Sequence, residues 1–420
     1  MAHIPSSGPV IFVANHTSAF MDPILLGVHI KRSIYFLARG ESFKSKIAST
    51  LFGWLNMIPI YKPDISPDEV HKNKQIFSRC FEHFAQGKTI MIFPEGVSKT
   101  ERKLRPIKTG TARIALGAED QYNFKLGVKI VPVGINYSNP HYFRSDVFID
   151  FGAPIELQEY QSDYMAHPFE TAQALTEVIR TQLERMTIVV NDQSLDPLVK
   201  DIERLYRSTL REDMPEEHKA AQDFYLSKEI VKAVTFHKQI RPKQTLAFQQ
   251  RIRQYLHALD RLQLSDAVIR NPGQYAKSLG AAIYFILGFP LFIYGYLVNI
   301  LPYKTAEFLS RKVSVRKDFI GSMKLAFGMF VFLLFYIVQI LFIISLTKWY
   351  WGLLFALSLY PCGLFAVNYI NQWYRLRGHL IFRRLYSKKR NVINRLQVMR
   401  NGLLEELDEG RLLYLESKLD

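Results

Sequence analysis

Asn15-His16-Thr17-Ser18-Ala19-Phe20-Met21-Asp22 brings an imidazole and a carboxylate onto the end of a short apolar run, Val10–Ala14. A neutral imidazole is the usual general base near pH 7. A carboxylate on its second nitrogen fixes the tautomer and steadies the imidazolium that forms. On one continuous helix these two side chains would point about 120° apart. Pairing them therefore requires a loop or turn, and Thr17 and Ser18 are turn-prone residues at the right place. Asp22-Pro23 also reads as the N-cap and first-turn pair of a helix through Ile24, Leu25 and Leu26. A second apolar run, 89–93, leads into Phe93-Pro94-Glu95-Gly96, an acidic turn after a strand. No serine or cysteine occupies a G-x-S-x-G elbow, so the expected nucleophile is a hydroxyl of the bound substrate.

The elements that must position these residues read as α/β. Val10–Ala14 and 89–93 are continuous apolar runs, as expected for strands buried on both faces. A histidine just past such a strand projects into the crevice at the carboxyl edge of the sheet, where open α/β sheets place ligands. Ser66-Pro67-Asp68-Glu69 has the form of a capping box. Ile76, Phe77, Cys80, Phe81 and Phe84 then recur at helical spacing up to Gly87. Lys129–Tyr137 and Val147–Phe151 read as further strands. The expected fold class is thus α/β, a mixed, mostly parallel sheet flanked by helices over residues 1–155. A helical region and C-terminal transmembrane segments follow.

Residues 156–278 read as a helical extension, with one stripe of Leu175, Val178, Ile179, Leu183 and Met186 and another of Ile252, Tyr255, Leu256 and Leu259. Within 279–374, the stretches 279–301, 325–346 and 350–369 carry no charged residue and approach the length that spans a hydrocarbon core. The last two predict a tight hairpin with Trp349, Tyr350 and Trp351 at its turn. Its flanks are basic: Lys304, Arg311, Lys312, Arg316, Lys317 and Lys324 before it, and 375–400 after it. The positive-inside tendency puts both flanks on the cytosolic side. The stretch 279–301, broken by Gly288 and Pro290, is then expected to be re-entrant, and 375–420 a basic cytosolic helical tail. An integral membrane protein with its catalytic domain on the cytosolic face results.

The 420 residues carry a formal charge of +16, which calls for an anionic partner or surface. Thirty phenylalanines, 22 tyrosines and three long apolar runs favour membrane lipid over nucleic acid, which is not expected as a partner. Two cysteines far apart exclude a disulfide framework, and 11 histidines without H-E-x-x-H or i,i+4 pairing argue against metal catalysis. No basic stretch precedes Val10, so no secretory leader is expected.

Taken in order, Asn15-His16…Asp22-Pro23, Phe93-Pro94-Glu95-Gly96-Val97-Ser98, 104–110 (LRPIKTG) and Val131-Pro132-Val133 resemble the blocks of the glycerolipid acyltransferase superfamily. That superfamily's signature is His, four residues, Asp; five residues separate His16 from Asp22. The longer spacing is similar to the fungal-type glycerol-3-phosphate/dihydroxyacetone-phosphate acyltransferases. The common lysophosphatidate acyltransferases carry Thr-Arg where Val97 and Ser98 stand. The resemblance implies that His16 is the base and Asp22 its orienter, with no covalent enzyme intermediate. It implies that Asn15, Glu95, Gly96 and Ser98 help place a phosphorylated glycerol. Lys62, where the second block usually has Arg, and Lys108 would supply charge for its phosphate; Arg39 is a weaker choice. No cofactor is implied, only an acyl thioester (acyl-CoA or acyl carrier protein) as co-substrate. The expected reaction is acylation of glycerol 3-phosphate or dihydroxyacetone phosphate. The alternatives are acylation of 1-acylglycerol 3-phosphate, or a catalytically silent membrane scaffold.

Overall fold

The five residues of β1 (Val10–Ala14) are completely buried, because this strand lies inside the sheet with a parallel neighbour on each side. A computed structural model describes residues 3–62, 65–141, 145–210, 219–271, 279–314, 316 and 319–418; Lys317 lies outside them. The chain continues through α1 (Met21–His29), β2 (Ile34–Arg39), α2 (Lys46–Trp54), β3 (Met57–Ile60), α3 (Asn73–Ala85), β4 (Thr89–Ile92), α4 (Gly110–Gln121) and β5 (Lys129–Tyr137). Then come β6 (Val147–Phe151), β7 (Ile155–Glu156), α5 (Gln161–Ala166) and α6 (Pro168–Met186). The sheet order is β3-β2-β4-β1-β5-β6, with β7 also on β5. β1 to β5 are parallel, and β6 and β7 run antiparallel to β5. Pro132 sits where the partner of β5 changes from β7 to β6, a seam that tolerates a residue lacking an N–H.

Alternation along β1 sends Val10, Phe12 and Ala14 to one face of the sheet and Ile11 and Val13 to the other. The first face packs on Leu26 of α1, and the second on Ile76, Cys80 and Phe84 of α3 and on α4. Burial pushes the Cys80 thiol up to about 12, so it is a core residue and not a nucleophile. Val13 pairs with Ile92 of β4, so the same register extended by three residues brings His16 level with Glu95.

Three expectations need correction. Ser66 forms no capping box; its hydroxyl donates to Glu41, a 3₁₀ turn (Pro67–Lys72) intervenes, and α3 begins at Asn73. The first compact unit does not stop near residue 155 but runs Met1–Gln193 and adds Arg316–Ser322. The reason is α6, whose Leu175, Ile179 and Leu183 join the core that also holds Ile11 and Val13. Val178, assigned to that same stripe, is exposed. Finally, residues 375–420 are no separate tail. α14 runs unbroken from Trp349 to Lys388, and Arg400 of the following helix is buried in a two-point ion pair with Asp266.

The second unit comprises Ser194–Val315 and Met323–Asp420. It is helical: α7 (Asp196–Leu210), α8 (Lys219–Ile240), α9 (Pro242–Leu262), α10 (Asp266–Arg270), α11 (Leu279–Leu287), α12 (Phe289–Val313), α13 (Ile320–Leu346, whose first residues belong to the first unit), α14 (Trp349–Lys388) and α15 (Arg390–Glu416). α12 and α14 cross closely at Gly295, where a Cβ would lie 2.2 Å from the Cys362 carbonyl. Among the described residues two helices are long and apolar enough to cross a membrane, α13 and α14. The stretch 279–301 is divided at Gly288 between α11 and α12.

Candidate active site

His16 leaves the carboxyl end of β1, and Asp22 is the second residue of α1. The link between them turns back sharply, with Ala19 in the left-handed region at φ 37°, so the geometry forbidden to a continuous helix is reached. Asp22 Oδ2 lies 2.8 Å from His16 Nδ1 and accepts the N–H groups of Thr17 and Ser18, each at 2.9 Å. Its Oδ1 accepts the Tyr137 hydroxyl at 2.5 Å. Asp22 is wholly buried, and four donors compensate the removal of its charge from water. It is not the N-cap of α1. That position is Phe20, because the carboxylate is turned back to the preceding loop instead.

Since Asp22 can only accept, His16 Nδ1 carries the proton in that contact, and Nε2 is left as the basic nitrogen. The imidazole is stacked on Phe93, with ring centroids 4.2 Å apart and planes at 22°. Two sides of the ring are thus fixed, and its side chain keeps 18% of its exposure.

The loop after β4 is sewn to this turn. Glu95 Oε1 accepts the His16 N–H at 2.8 Å, and Oε2 accepts the Arg105 N–H at 3.1 Å. Ser98 Oγ accepts the Ala19 N–H at 2.8 Å, the Lys99 N–H donates to the His16 carbonyl at 3.1 Å, and Thr100 Oγ1 donates to the Thr17 carbonyl at 3.0 Å. Burial pushes the Glu95 carboxyl above the usual range, while the two N–H donors pull it back. Gly96 adopts φ +67°, and a Cβ there would lie 2.7 Å from Lys62 Nζ. Glycine thus lets Lys62 reach the Gly96 carbonyl, which Arg39 also approaches at 3.4 Å.

The residues read from sequence fall into two groups. His16, Asp22, Gly96, Ser98 and Lys62 come together at the two loops. Glu95 is there too, but both its oxygens hold backbone, which makes it a positioning group for His16. Asn15 turns away: its amide exchanges hydrogen bonds with the N–H and carbonyl of Ile135 on β5, so it ties strands together and does not face a ligand. Lys108 is exposed just before α4, with its N–H on the Pro94 carbonyl. Tyr137 was missed. A phenol 115 positions from Asp22 has no local signal; only the pairing of β5 with β1 brings it to the site.

Residues 1–136 match the Acyltransferase family. The matched residues include the two loops that carry His16, Asp22, Glu95, Gly96 and Ser98. Similar proteins include glycerol-3-phosphate O-acyltransferase 1 of Saccharomyces cerevisiae, 29% identical over 58% of this chain and 32% of that protein. Glycerol-3-phosphate O-acyltransferase 2 of the same yeast is 31% identical over 48% of this chain and 28% of that protein. A 1-acyl-sn-glycerol-3-phosphate acyltransferase of Chlamydomonas reinhardtii is 28% identical over 31% of this chain and 34% of its own length. The chain therefore matches about a third of the length of each of these relatives. Tyr137 lies one residue past the matched domain.

Glu95→Gln separates positioning from chemistry at this site. An amide offers one acceptor oxygen where two N–H groups need one each, so its NH₂ faces a donor. The expected outcome is a fall in kcat of about 10- to 100-fold, consistent with losing roughly 1–3 kcal/mol of hydrogen bonding at the base. KM for both substrates should stay within a few-fold, measured by steady-state acyl transfer.

Proposed function

We propose that this chain is a membrane-bound O-acyltransferase of phospholipid synthesis, moving a fatty acyl group from acyl-CoA or acyl carrier protein to glycerol 3-phosphate or dihydroxyacetone phosphate. The single observation that carries the reading is the 2.8 Å contact of His16 Nδ1 with a buried Asp22 at the edge of an acyltransferase domain. The names of the yeast relatives support the choice of acceptor.

The acceptor hydroxyl gives its proton to His16 Nε2 as its oxygen attacks the thioester carbonyl. The O–C bond forms, the C–S bond breaks, and the departing thiolate takes the proton back from the imidazolium. Asp22 stabilises that imidazolium and keeps the ring aligned. Lys62 beside Gly96 supplies positive charge for the acceptor phosphate, as an ammonium without the bidentate fork of arginine. α13 and α14 anchor the enzyme, with the acyltransferase domain on the cytosolic face, where acyl thioesters are made and where the basic flanks 304–324 and 375–400 belong. Anionic lipid attracts those flanks.

Purified full-length protein in lipid nanodiscs, given each acceptor with each thioester, tests this. Acylation of glycerol 3-phosphate or dihydroxyacetone phosphate is the expected result. Exclusive use of 1-acylglycerol 3-phosphate would overturn the acceptor, and no transfer to any of the three would overturn the activity.

A further inference from the structure

A cavity of about 830 Å³ lies between α7, α8, α9 and α15, all in the second compact unit. Small-molecule sites run from roughly 300 to 1,000 Å³, so this one has their size. Leu198, Ile202, Tyr206 and Leu210 line it from α7, each four residues after the last, so one face of that helix forms a wall. Leu226, Ile230 and Val234 repeat the spacing on α8, and Phe248 lines it from α9. All of these side chains are buried. From Leu198 to Leu210 the wall on α7 extends about 18 Å, at 1.5 Å per residue.

Polar contacts fasten α15 to the other three helices. Tyr206 of α7 donates to Asp408, His237 Nε2 of α8 meets the Gly410 carbonyl at 2.8 Å, and Arg251 of α9 pairs with Glu406 at 2.5 Å. Such struts set the spacing of the helices, whereas apolar side chains left to themselves pack to crystal-like density. Gly402, in the middle of α15, also lines the cavity, and a Cβ there would have no neighbour within 4 Å. Among the described residues, no lining side chain has a buried polar atom without a partner. Water inside would find little to bond, so the interior favours an apolar occupant. The exposed lining residues Arg241, Gln244, Glu405 and Glu409 give a rim of both signs, which selects no particular head group. Recognition then falls to the hydrocarbon.

We propose that this cavity binds one long-chain acyl group, lying along α7 and α8 with its polar head at the rim. The hydrocarbon core of a bilayer is about 30 Å thick, so the chain of one leaflet reaches about 15 Å, which the wall on α7 accommodates. His16 belongs to the other unit, and the proposal stands apart from the catalytic reading. A free fatty acid, a single-chain phospholipid and an acyl-CoA share this chain, so the test separates them.

Full-length protein in phosphatidylcholine nanodiscs is irradiated with palmitic acid carrying a diazirine near its methyl end, and labelled peptides are mapped by mass spectrometry. Wild type is compared with Gly402→Leu and with Ala233→Phe, which enlarges another lining residue. Label is expected on α7 and α8, lowered about tenfold by either variant, as for the loss of two buried methylenes. Label on α13 and α14 should be unchanged. Gly402→Leu should not lower the melting temperature, because leucine is the better helix former. Excess oleic acid, oleoyl lysophosphatidylcholine or oleoyl-CoA should displace the label from α7 and α8, the strongest competitor identifying the source, while octanoic acid displaces none. Label confined to α13 and α14 overturns the proposal, as does label on α7 and α8 that both variants leave untouched. Displacement by octanoic acid as readily as by the long chains also overturns it. Label lost when two copies share a disc would show a second copy in the cavity, and overturns it too.

Discussion

Asp22→Asn is expected to lower kcat by about 10³-fold while leaving the fold intact. The amide oxygen of asparagine can keep the N–H groups of Thr17 and Ser18 and the Nδ1 proton of His16. Its NH₂ then faces Tyr137, whose hydroxyl can rotate to accept instead of donate. What is lost is the negative charge beside the developing imidazolium. Two unit charges about 4 Å apart at an effective dielectric of roughly 20 attract by about 4 kcal/mol, which corresponds to roughly 10³ in rate. Alanine is the worse probe, since it strands three donors in a buried turn and confounds chemistry with folding. Steady-state kcat and the melting temperature in detergent check the prediction. A loss smaller than tenfold, with the protein folded, would show that the carboxylate's charge has no part in the reaction.

The strands that carry the site were legible because they are continuous apolar runs. Val10–Ala14, Lys129–Tyr137 and Val147–Phe151 have the bounds expected, and the run at 89–93 ends one residue sooner, at Ile92. β2 and β3 left no such run: only Ile34 and Ile58 are buried in them, and Pro59 is tolerated in β3 because that strand is an edge of the sheet. The His16–Asp22 pairing could be argued from turn-prone residues between them, since both partners lie within one loop. Asn15 and Glu95 were visible as residue types, but their partners are backbone groups, which a sequence does not display. Tyr137 and Ser322 reach the turn only through tertiary proximity, so the order of strands had to be known first.

The central claim is that the His16 side chain takes the proton of the acceptor hydroxyl. Truncation at this position is unusually clean. The residue's own N–H and carbonyl, bound to Glu95 and Lys99, hold the two loops together and survive the loss of the ring. Only the imidazole, its contact with Asp22 and its stacking on Phe93 disappear. Removing a positioned general base typically costs about 10² to 10⁴ in rate. The decisive measurement is therefore acyl transfer to glycerol 3-phosphate by His16→Ala and wild type, side by side in nanodiscs at saturating substrates. A kcat lowered at least about 100-fold, with KM and melting temperature close to wild type, is the predicted result. A folded His16→Ala protein that turns over at a rate near wild type would contradict the account.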